Sequence, residues 1–432
     1  MRFWFFLGGC LTHFSLVKYQ REWLTLLLSL CLQVPLAVFL GHAYDESLFM
    51  ATGYFVSSGM DPYVTHPFPS VFNGFHLFGA FSSLPSIGYF PPWPLLLGLI
   101  YRLSFNVIPN IFVYNFAIKV PVIVGNVCLA YLVRNIILKF SADAKKARFA
   151  WLFILFNPFI LLTTVAWGEF DTIVALFCIA SLYFSIIGKS RESAASMALS
   201  VALKPIVLPL VGLPLILPSN SSRKRLEYVL IFVLVLGACY FMPFFLEGWT
   251  FPWSSSDWAA PNGMAGGLTP FNLLEIYNDS TKLPLSVSFL GYLWIPAVLL
   301  GYLAIYWNRK TSSNEVFSNA VGLVLIFFLT RSWLSETNIN LILPLMLIVA
   351  TTKELNFRSF HFAWIIPLVF LFLNTSFPQL FYFVYPSVLT VIAQVDQQIR
   401  NVRIWARFVV VIPWQILGWN VVIKKLRGNP RK

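Results

Sequence analysis

Charged residues are scarce in this chain. Asp, Glu, Lys and Arg make up 11% of its 432 residues, and 58% of the residues are hydrophobic. A typical soluble domain contains about 25% charged residues, and its core could not bury this much apolar surface. Leu-, Ile-, Val- and Phe-rich runs of membrane-spanning length recur along the whole chain. The sequence therefore predicts an all-α, polytopic transmembrane protein.

Cysteine is also rare, and its placement does not indicate a disulfide framework or a metal site. The five cysteines lie in or beside apolar runs and have no paired spacing, so we interpret them as packing residues. A nucleic-acid partner is not expected despite the net charge of +13, because the basic residues are spread over short loops. The partner that the composition does predict is the lipid bilayer.

The distribution of Lys and Arg predicts the topology, because short loops rich in these residues stay in the cytoplasm. Residues 42–101 contain neither and are predicted to lie outside, as is the loop 247–284. Successive spans must cross the membrane in opposite directions. With the basic loops placed in the cytoplasm, the chain requires about 12 membrane segments, including a pair of half-length helices broken at Lys204-Pro205. On this topology residues 375–403 are mostly external, and the last span begins at Ala406.

We divide the chain into two predicted modules. Residues 1–226 form an N-terminal catalytic transmembrane module, and its first external loop, residues 42–110, is expected to be structured. Residues 227–432 form a C-terminal variable transmembrane module that carries the external loop 247–284.

The acidic residues near span ends are predicted to share the external face. They are Asp45, Glu46, Asp61, Glu169, Asp171 and Glu336. A transporter instead places ionisable groups near the bilayer midplane, often in two related halves, and this chain has no internal repeat. The pattern therefore predicts a site that opens to one face of the membrane. Solvated helix ends, a tight turn at Asp61 and N-capping by Asp171 are the competing explanations.

Two lysines, Lys119 and Lys204, lie inside apolar runs. A membrane-embedded lysine is energetically costly, which makes it a functional candidate, with snorkelling to the interface as the alternative. A lipid-borne phosphate would satisfy either side chain. Arg331, Glu336 and Asn338 lie on one short external turn, for which a plain polar loop is the other interpretation. Nothing in the sequence forms a convincing metal site, because the histidines of the first external loop are too few.

Six short motifs follow one another along the chain. They are an acidic residue after the first span, Gly-x-Asp-Pro-Tyr (59–63), Tyr-Phe-Pro-Pro-Trp (89–93), Phe-Asn-Pro-Phe (156–159), Trp-Gly-Glu-Phe-Asp (167–171) and Ala-Leu-Lys-Pro (202–205). In this order they resemble the GT-C superfamily of membrane glycosyltransferases, most closely the polyprenyl-phosphate-mannose-dependent mannosyltransferases. The resemblance covers about Tyr44–Pro218. Further on it is carried only by Ser335-Glu336 and Asn338–Pro344.

The resemblance implies the GT-C fold and a metal-independent, inverting sugar transfer. The donor would be a sugar, with mannose favoured, on polyprenyl or dolichyl phosphate, and no cofactor is needed. The acceptor would be a lipid- or protein-linked glycan on the external or lumenal face. The resemblance assigns the general base to Asp45 and the donor phosphate to Lys204, and we add Lys119 and Arg331 as further phosphate contacts. The predicted acceptor or sugar contacts are Glu46, Asp61, Tyr63, His66, Trp167, Glu169, Asp171, Glu336 and Asn338.

This sequence departs from the family at Glu169, where relatives often have Gln. The protein is predicted to be a multi-pass membrane protein. We expect it in the plasma membrane if the host is a prokaryote, or in the endoplasmic reticulum if the host is a eukaryote. A membrane transporter or a flippase for lipid-linked sugars is the alternative function, and it would move its substrate without chemical turnover. A third hypothesis is an inactive relative that serves as a subunit.

Overall fold

The computed structural model describes residues 16–75, 83–84, 87–217, 221–250, 265–277, 283–307, 315–352 and 355–427. Much of the predicted loop 247–284 and Cys10 lie outside these ranges, and the four described cysteines are free thiols. The described residues are mainly helical, as the sequence predicts.

The N-terminal half consists of helices joined by short turns. Its helices are α1 (Leu16–Phe39), α2 (Ala43–Ser57), α3 (Pro92–Leu103), α4 (Ile111–Ser141), α5 (Ala144–Phe156), α6 (Pro158–Leu161), α7 (Asp171–Ile186), α8 (Ser190–Leu203) and α9 (Leu213–Ile216). Its other elements are β1 (His66–Pro67), which pairs antiparallel with β2 (Ser83–Leu84), 3-10 turns at Ser70–Phe75 and Pro205–Leu210, and a π-helical turn at Leu162–Ala166. The described part of the predicted first loop is thus structured.

The C-terminal half is also helical. Its helices are α10 (Ser222–Glu247), α11 (Leu274–Tyr277), α12 (Trp294–Trp307), α13 (Val316–Thr330), α14 (Ile339–Thr351), α15 (Phe357–Leu373), α16 (Ser376–Gln379) and α17 (Val388–Arg427). Strand β3 (Gly266–Gly267) pairs parallel with β4 (Trp333–Leu334), and 3-10 turns occupy Pro270–Leu273, Leu285–Tyr292 and Glu336–Asn338.

Polar residues at the helix starts explain several of these boundaries. The side chain of Asn110 accepts hydrogen bonds from the first backbone N–H groups of α4, and Asp143 does the same for α5. Helix α8 ends before Lys204, whose backbone is extended (φ −155°, ψ 117°), because Pro205 disfavours a helical residue in front of it. The predicted break at Lys204-Pro205 is therefore confirmed.

The architecture is that of a polytopic membrane protein. Within the described ranges, six helices are long and apolar enough to cross a membrane: Glu22–Phe39, Ile111–Ser141, Ala144–Ala166, Ser222–Glu247, Ser286–Trp307 and Val388–Lys425. Five shorter apolar helices accompany them. Helix α14 is buried along its whole length, whereas α10 exposes large apolar side chains such as Leu234 and Phe245. Lipid tails would cover such a surface. The number of about 12 segments stays a prediction.

Helices of both predicted modules contribute to one hydrophobic core. Buried residues of α2, α4 and α7 belong to the same cluster as those of α13 and α14. The boundary at residue 226 stays a prediction.

The last helix begins inside the segment that the predicted topology places mostly outside. Helix α17 begins at Val388 and continues to Arg427, so the segment 375–403 is partly helical, and its external location stays a prediction. The charged residues of this segment have partners: the Nε of Arg403 donates to Asp396, and Arg400 donates to the backbone oxygen of Glu275. Because these charges are compensated, the helix does not have to end at them.

Candidate active site

The first turn of α2 holds a carboxylate between two side chains. The indole Nε1 of Trp167 donates to Oδ2 of Asp45 over 2.7 Å, and the Nδ1 of His42 lies 2.9 Å from the same oxygen. His42 is the N-cap of α2, and its ring stacks on Trp167 with the centroids 4.3 Å apart. The side chain of Asp45 is 20% exposed, which leaves this carboxylate accessible to a ligand.

These neighbours keep Asp45 ionised. Burial by itself would raise the pKa of Asp45, but the charge of His42, the hydrogen bonds from His42 and Trp167, and the charge of Lys204 hold this pKa below its usual value. An ionised carboxylate can accept a proton from a hydroxyl group.

A second carboxylate, Glu46, lies beneath this turn in a buried ion pair. Its Oε1 is 3.3 Å from the Nζ of Lys119, and both side chains are fully buried. The same ammonium donates to the backbone oxygens of Leu40 and Ala166, which end α1 and the π-helical turn. Lys119 is therefore fully buried in an ion pair, and its contact with a donor phosphate stays a prediction.

The turn after the π-helical segment brings a third charged group to the same end of the bundle. Lys204 lies 2.8 Å from Asp171 Oδ2 and 3.2 Å from Glu169 Oε2. The hydroxyl of Tyr89 donates to the other Glu169 oxygen over 2.9 Å. Burial raises the pKa of Glu169 to about 8, although the charge of Lys204 opposes the shift. The ammonium of Lys204 has three N–H donors, and these two bonds leave one for a ligand.

A network of charged and polar side chains lies close to His42. Asn374 donates to Glu336 over 2.5 Å, and Arg407 donates to Asn374 over 3.1 Å. Arg407 also lies 2.6 Å from a carboxylate oxygen of Glu275, in the described part of the 247–284 loop. Glu336 is close enough to His42 for their charges to interact. The loop is thus connected to the site through α17.

The backbone at Gly168 allows these groups to approach one another. Gly168 has φ +105°, and a Cβ placed on it would lie 1.8 Å from Oε1 of Glu46. The preceding residues, Leu162–Ala166, form a π-helical turn, an irregularity that is frequent at functional sites. The Trp167–Asp171 motif therefore depends on glycine at this position.

Replacing Gly168 with Ala is expected to lower both the thermal stability and the activity, because the methyl group clashes with Glu46 and the backbone is strained. Gly59→Ala is the matched control, since Gly59 also has a positive φ (+73°) but nothing lies within 4 Å of its added Cβ. Thermal unfolding of both purified variants checks this. Equal melting temperatures for the two would contradict the close contact at Gly168.

The structure brings several of the predicted residues together and leaves others apart. One end of the bundle holds six of the predicted residues: Asp45, Trp167, Glu169, Asp171, Lys204 and Glu336. The buried pair of Glu46 and Lys119 lies next to them. Asn338 is buried in the turn beside Glu336, and Arg331 packs over the ring of Phe327. The predicted contacts of all these residues with substrate stay predictions.

Asp61, Tyr63 and His66 form a neighbouring turn. Asp61 accepts from the backbone N–H groups of Tyr63 and Thr250, and a ring nitrogen of His66 lies 2.7 Å from the Asp61 carbonyl oxygen. The Tyr63 hydroxyl donates to the carbonyl oxygen of Tyr89 over 3.0 Å. These three residues therefore support the Tyr89 segment from outside the carboxylate cluster.

Sequence reasoning did not select four residues of the site: His42, Tyr89, Asn374 and Arg407. His42 had a usable signal, because it directly precedes helix α2 and lies three residues before Asp45. Tyr89 lies inside one of the recognised motifs. Asn374 and Arg407 had no signal, since only the tertiary structure brings them to Glu336.

Within the described part of the chain, no group of three or more His, Cys, Asp or Glu residues is arranged to hold a metal ion. Metal independence stays a prediction.

Comparison with solved structures gives distant likenesses. The crystal structure of ArnT from Cupriavidus metallidurans bound to undecaprenyl phosphate is similar over 96% of this chain and 78% of that chain, with 13% identity and a TM-score of 0.46. A likeness at this level does not by itself establish a family. No family model and no curated protein sequence matches the chain.

Proposed function

We propose that this protein is a membrane glycosyltransferase of the GT-C class. It transfers a sugar, with mannose favoured, from a polyprenyl- or dolichyl-phosphate donor to a lipid- or protein-linked glycan acceptor. The observation that carries the proposal is the partly exposed, ionised carboxylate of Asp45, held by two side chains and within electrostatic reach of Lys204. The order of the motifs between Tyr44 and Pro218 supports the assignment to the GT-C class.

The proposed reaction is a single displacement at the anomeric carbon. The acceptor hydroxyl oxygen bonds to this carbon while its proton passes to Asp45. The bond between the anomeric carbon and the phosphate oxygen breaks, and its electron pair leaves with the phosphate. One base and no enzyme nucleophile gives inversion of configuration.

Lys204 is the proposed contact for the donor phosphate. Two of its three N–H donors bind Asp171 and Glu169, which fixes the ammonium in place. The third can donate to a phosphate oxygen, and an ammonium stabilises the charge that develops there. Glu169 and Asp171 offset the charge of Lys204 when no donor is bound, which lowers the energy of keeping it buried.

Lys204→Met is expected to raise the KM for the lipid-phosphate donor and to lower kcat, because the phosphate loses its cation. Lys204→Arg keeps the charge and should retain more of the activity. Steady-state transfer kinetics with donor concentration varied give both constants. If Lys204→Met leaves the donor KM and kcat unchanged, the phosphate contact must be assigned elsewhere.

The function is tested with the purified full chain in detergent or nanodiscs. Radiolabelled polyprenyl-phosphate mannose is mixed with lipid and glycan acceptors, with EDTA present throughout. Label in an acceptor supports the proposal and the predicted metal independence. Movement of labelled lipid across vesicle membranes without any product would instead support the transporter or flippase alternative. Transfer that occurs only after a divalent ion is added would contradict metal independence alone.

A further inference from the structure

His42 is attached to the proposed base by side-chain and backbone contacts together. Its Nδ1 lies 2.9 Å from Oδ2 of Asp45, and its backbone N–H donates to the carbonyl oxygen of Trp167 over 3.2 Å. Its ring is nearly parallel to the Trp167 indole, with an angle of 10° between the planes. The residue is 8% exposed. Rotation of the imidazole is therefore limited on several sides.

The distances around Nδ1 indicate which tautomer is present. An ionised carboxylate can only accept hydrogen bonds, so the 2.9 Å contact requires a proton on Nδ1. The backbone N–H of Asp45 is farther from the same nitrogen, at 3.4 Å. The second nitrogen, Nε2, is buried and has no hydrogen-bond partner among the residues that the structure describes. We assign a proton to Nδ1, directed at Asp45.

We propose that His42 is a positioning residue, which together with Trp167 holds Oδ2 of Asp45 and so presents Oδ1 to the acceptor hydroxyl. The inference rests on the proposed function, because it assigns His42 a role in the same transfer. Both donors bind one oxygen, and within the described ranges no protein donor binds Oδ1. Oδ1 therefore keeps its lone pairs for the incoming proton.

The expected size of the effect follows from geometry. The carboxylate can rotate about its Cβ–Cγ bond when one of its two donors is lost, and the base then spends less time in line with the hydroxyl. Misplacing a catalytic group by about 1 Å can lower the reaction rate by about 10²-fold. Substrate affinity should stay the same, because His42 contacts the base and not the donor lipid.

Two substitutions of His42 show which of its two ring nitrogens is needed for the reaction. In His42→Asn the amide nitrogen occupies the position of Nδ1, and Asn remains a good N-cap for α2. In His42→Gln the amide nitrogen occupies the position of Nε2 and cannot replace the bond to Asp45. We expect His42→Asn to keep kcat within about tenfold of the wild type and His42→Gln to lose about 10²-fold, each with an unchanged donor KM.

Several outcomes would overturn the role of His42. A Gln variant more active than the Asn variant would show that Nε2 is the atom that matters. A raised donor KM in both variants would mean that His42 contacts the substrate. Wild-type kcat in His42→Gln would show that the contact to Asp45 has no effect on the rate.

The tautomer can be tested without any transfer. The chain contains five histidines, so comparing ¹⁵N-histidine NMR spectra of the wild type and His42→Asn identifies the signal of His42. We expect a proton on Nδ1 of His42 in the wild type. A proton on Nε2 in the wild type would reject the positioning role, even if the protein transfers a sugar. Absence of transfer by the wild type would count against the proposed function, while the NMR result would still test the geometry.

Discussion

Asp45→Asn is expected to lower the rate of sugar transfer by about 10²- to 10⁴-fold, the usual range for loss of a general base. An amide has nearly the same shape as the carboxylate but cannot take a proton from the acceptor hydroxyl. The surroundings can accommodate the change, because the amide oxygen can take the position of Oδ2 and accept from both Trp167 and His42. The loss should therefore be in kcat and not in folding.

The control for this variant is Asp143→Asn, a change of the same kind in another helix cap. Asp143 caps α5, at the opposite end of α4 from Asn110, and Asn is an equally good N-cap. Asp143→Asn should keep wild-type kcat and KM, and both variants should elute from size-exclusion chromatography like the wild type. Near-normal turnover by Asp45→Asn would remove Asp45 from the role of base.

The sequence was sufficient to predict the features that depend on local composition. Apolar runs predicted the helices because a bilayer requires each spanning segment to satisfy its own backbone hydrogen bonds. Pro205 predicted the break between α8 and the following 3-10 turn, because a proline restricts the residue before it. Acidic residues at several span ends predicted that a polar site would form at one end of the bundle.

The features that the sequence did not predict depend on partners from distant parts of the chain. Helix α17 continues through a charged segment in which Arg400 donates to the backbone oxygen of Glu275, far away in sequence. Lys119 was predicted as a phosphate contact inside an apolar run, and the structure shows that it also donates to the carbonyl oxygens of Leu40 and Ala166. No local pattern could indicate that the carboxylate of Glu46 would lie there as well.

The charges at this end of the bundle are grouped with partners of opposite sign. Lys119 pairs with Glu46, Lys204 with Asp171 and Glu169, and Arg407 with Glu275. Asp45 differs, because within the described ranges its nearest partners are the hydrogen-bond donors His42 and Trp167 and not a lysine or arginine in direct contact. A carboxylate held in this way stays ionised without a salt bridge that would occupy both of its oxygens. This arrangement suits a group that must accept a proton.

Lys119→Met should be strongly destabilising. It leaves the carboxylate of Glu46 buried without a counter-charge, and it removes the donor that the carbonyl oxygens of Leu40 and Ala166 share. Breaking a buried ion pair by removing one partner costs about 3–5 kcal/mol. Because Leu40 and Ala166 flank His42 and Trp167 along the chain, the geometry around Asp45 should be lost as well. Activity and melting temperature should therefore fall together.

The double variant Lys119→Met/Glu46→Gln separates the charge from the packing. Removing the second charge should recover part of the stability lost in Lys119→Met, and the difference gives the coupling between the two groups. Lys139→Met, in the exposed last turn of the same helix α4, is the control and should melt like the wild type. Two measurements decide whether Lys119 stabilises the fold or binds the donor. They are the melting temperature of each variant in the same detergent and the KM for the donor. Wild-type stability combined with a raised donor KM would return Lys119 to the phosphate contact that its sequence position suggested.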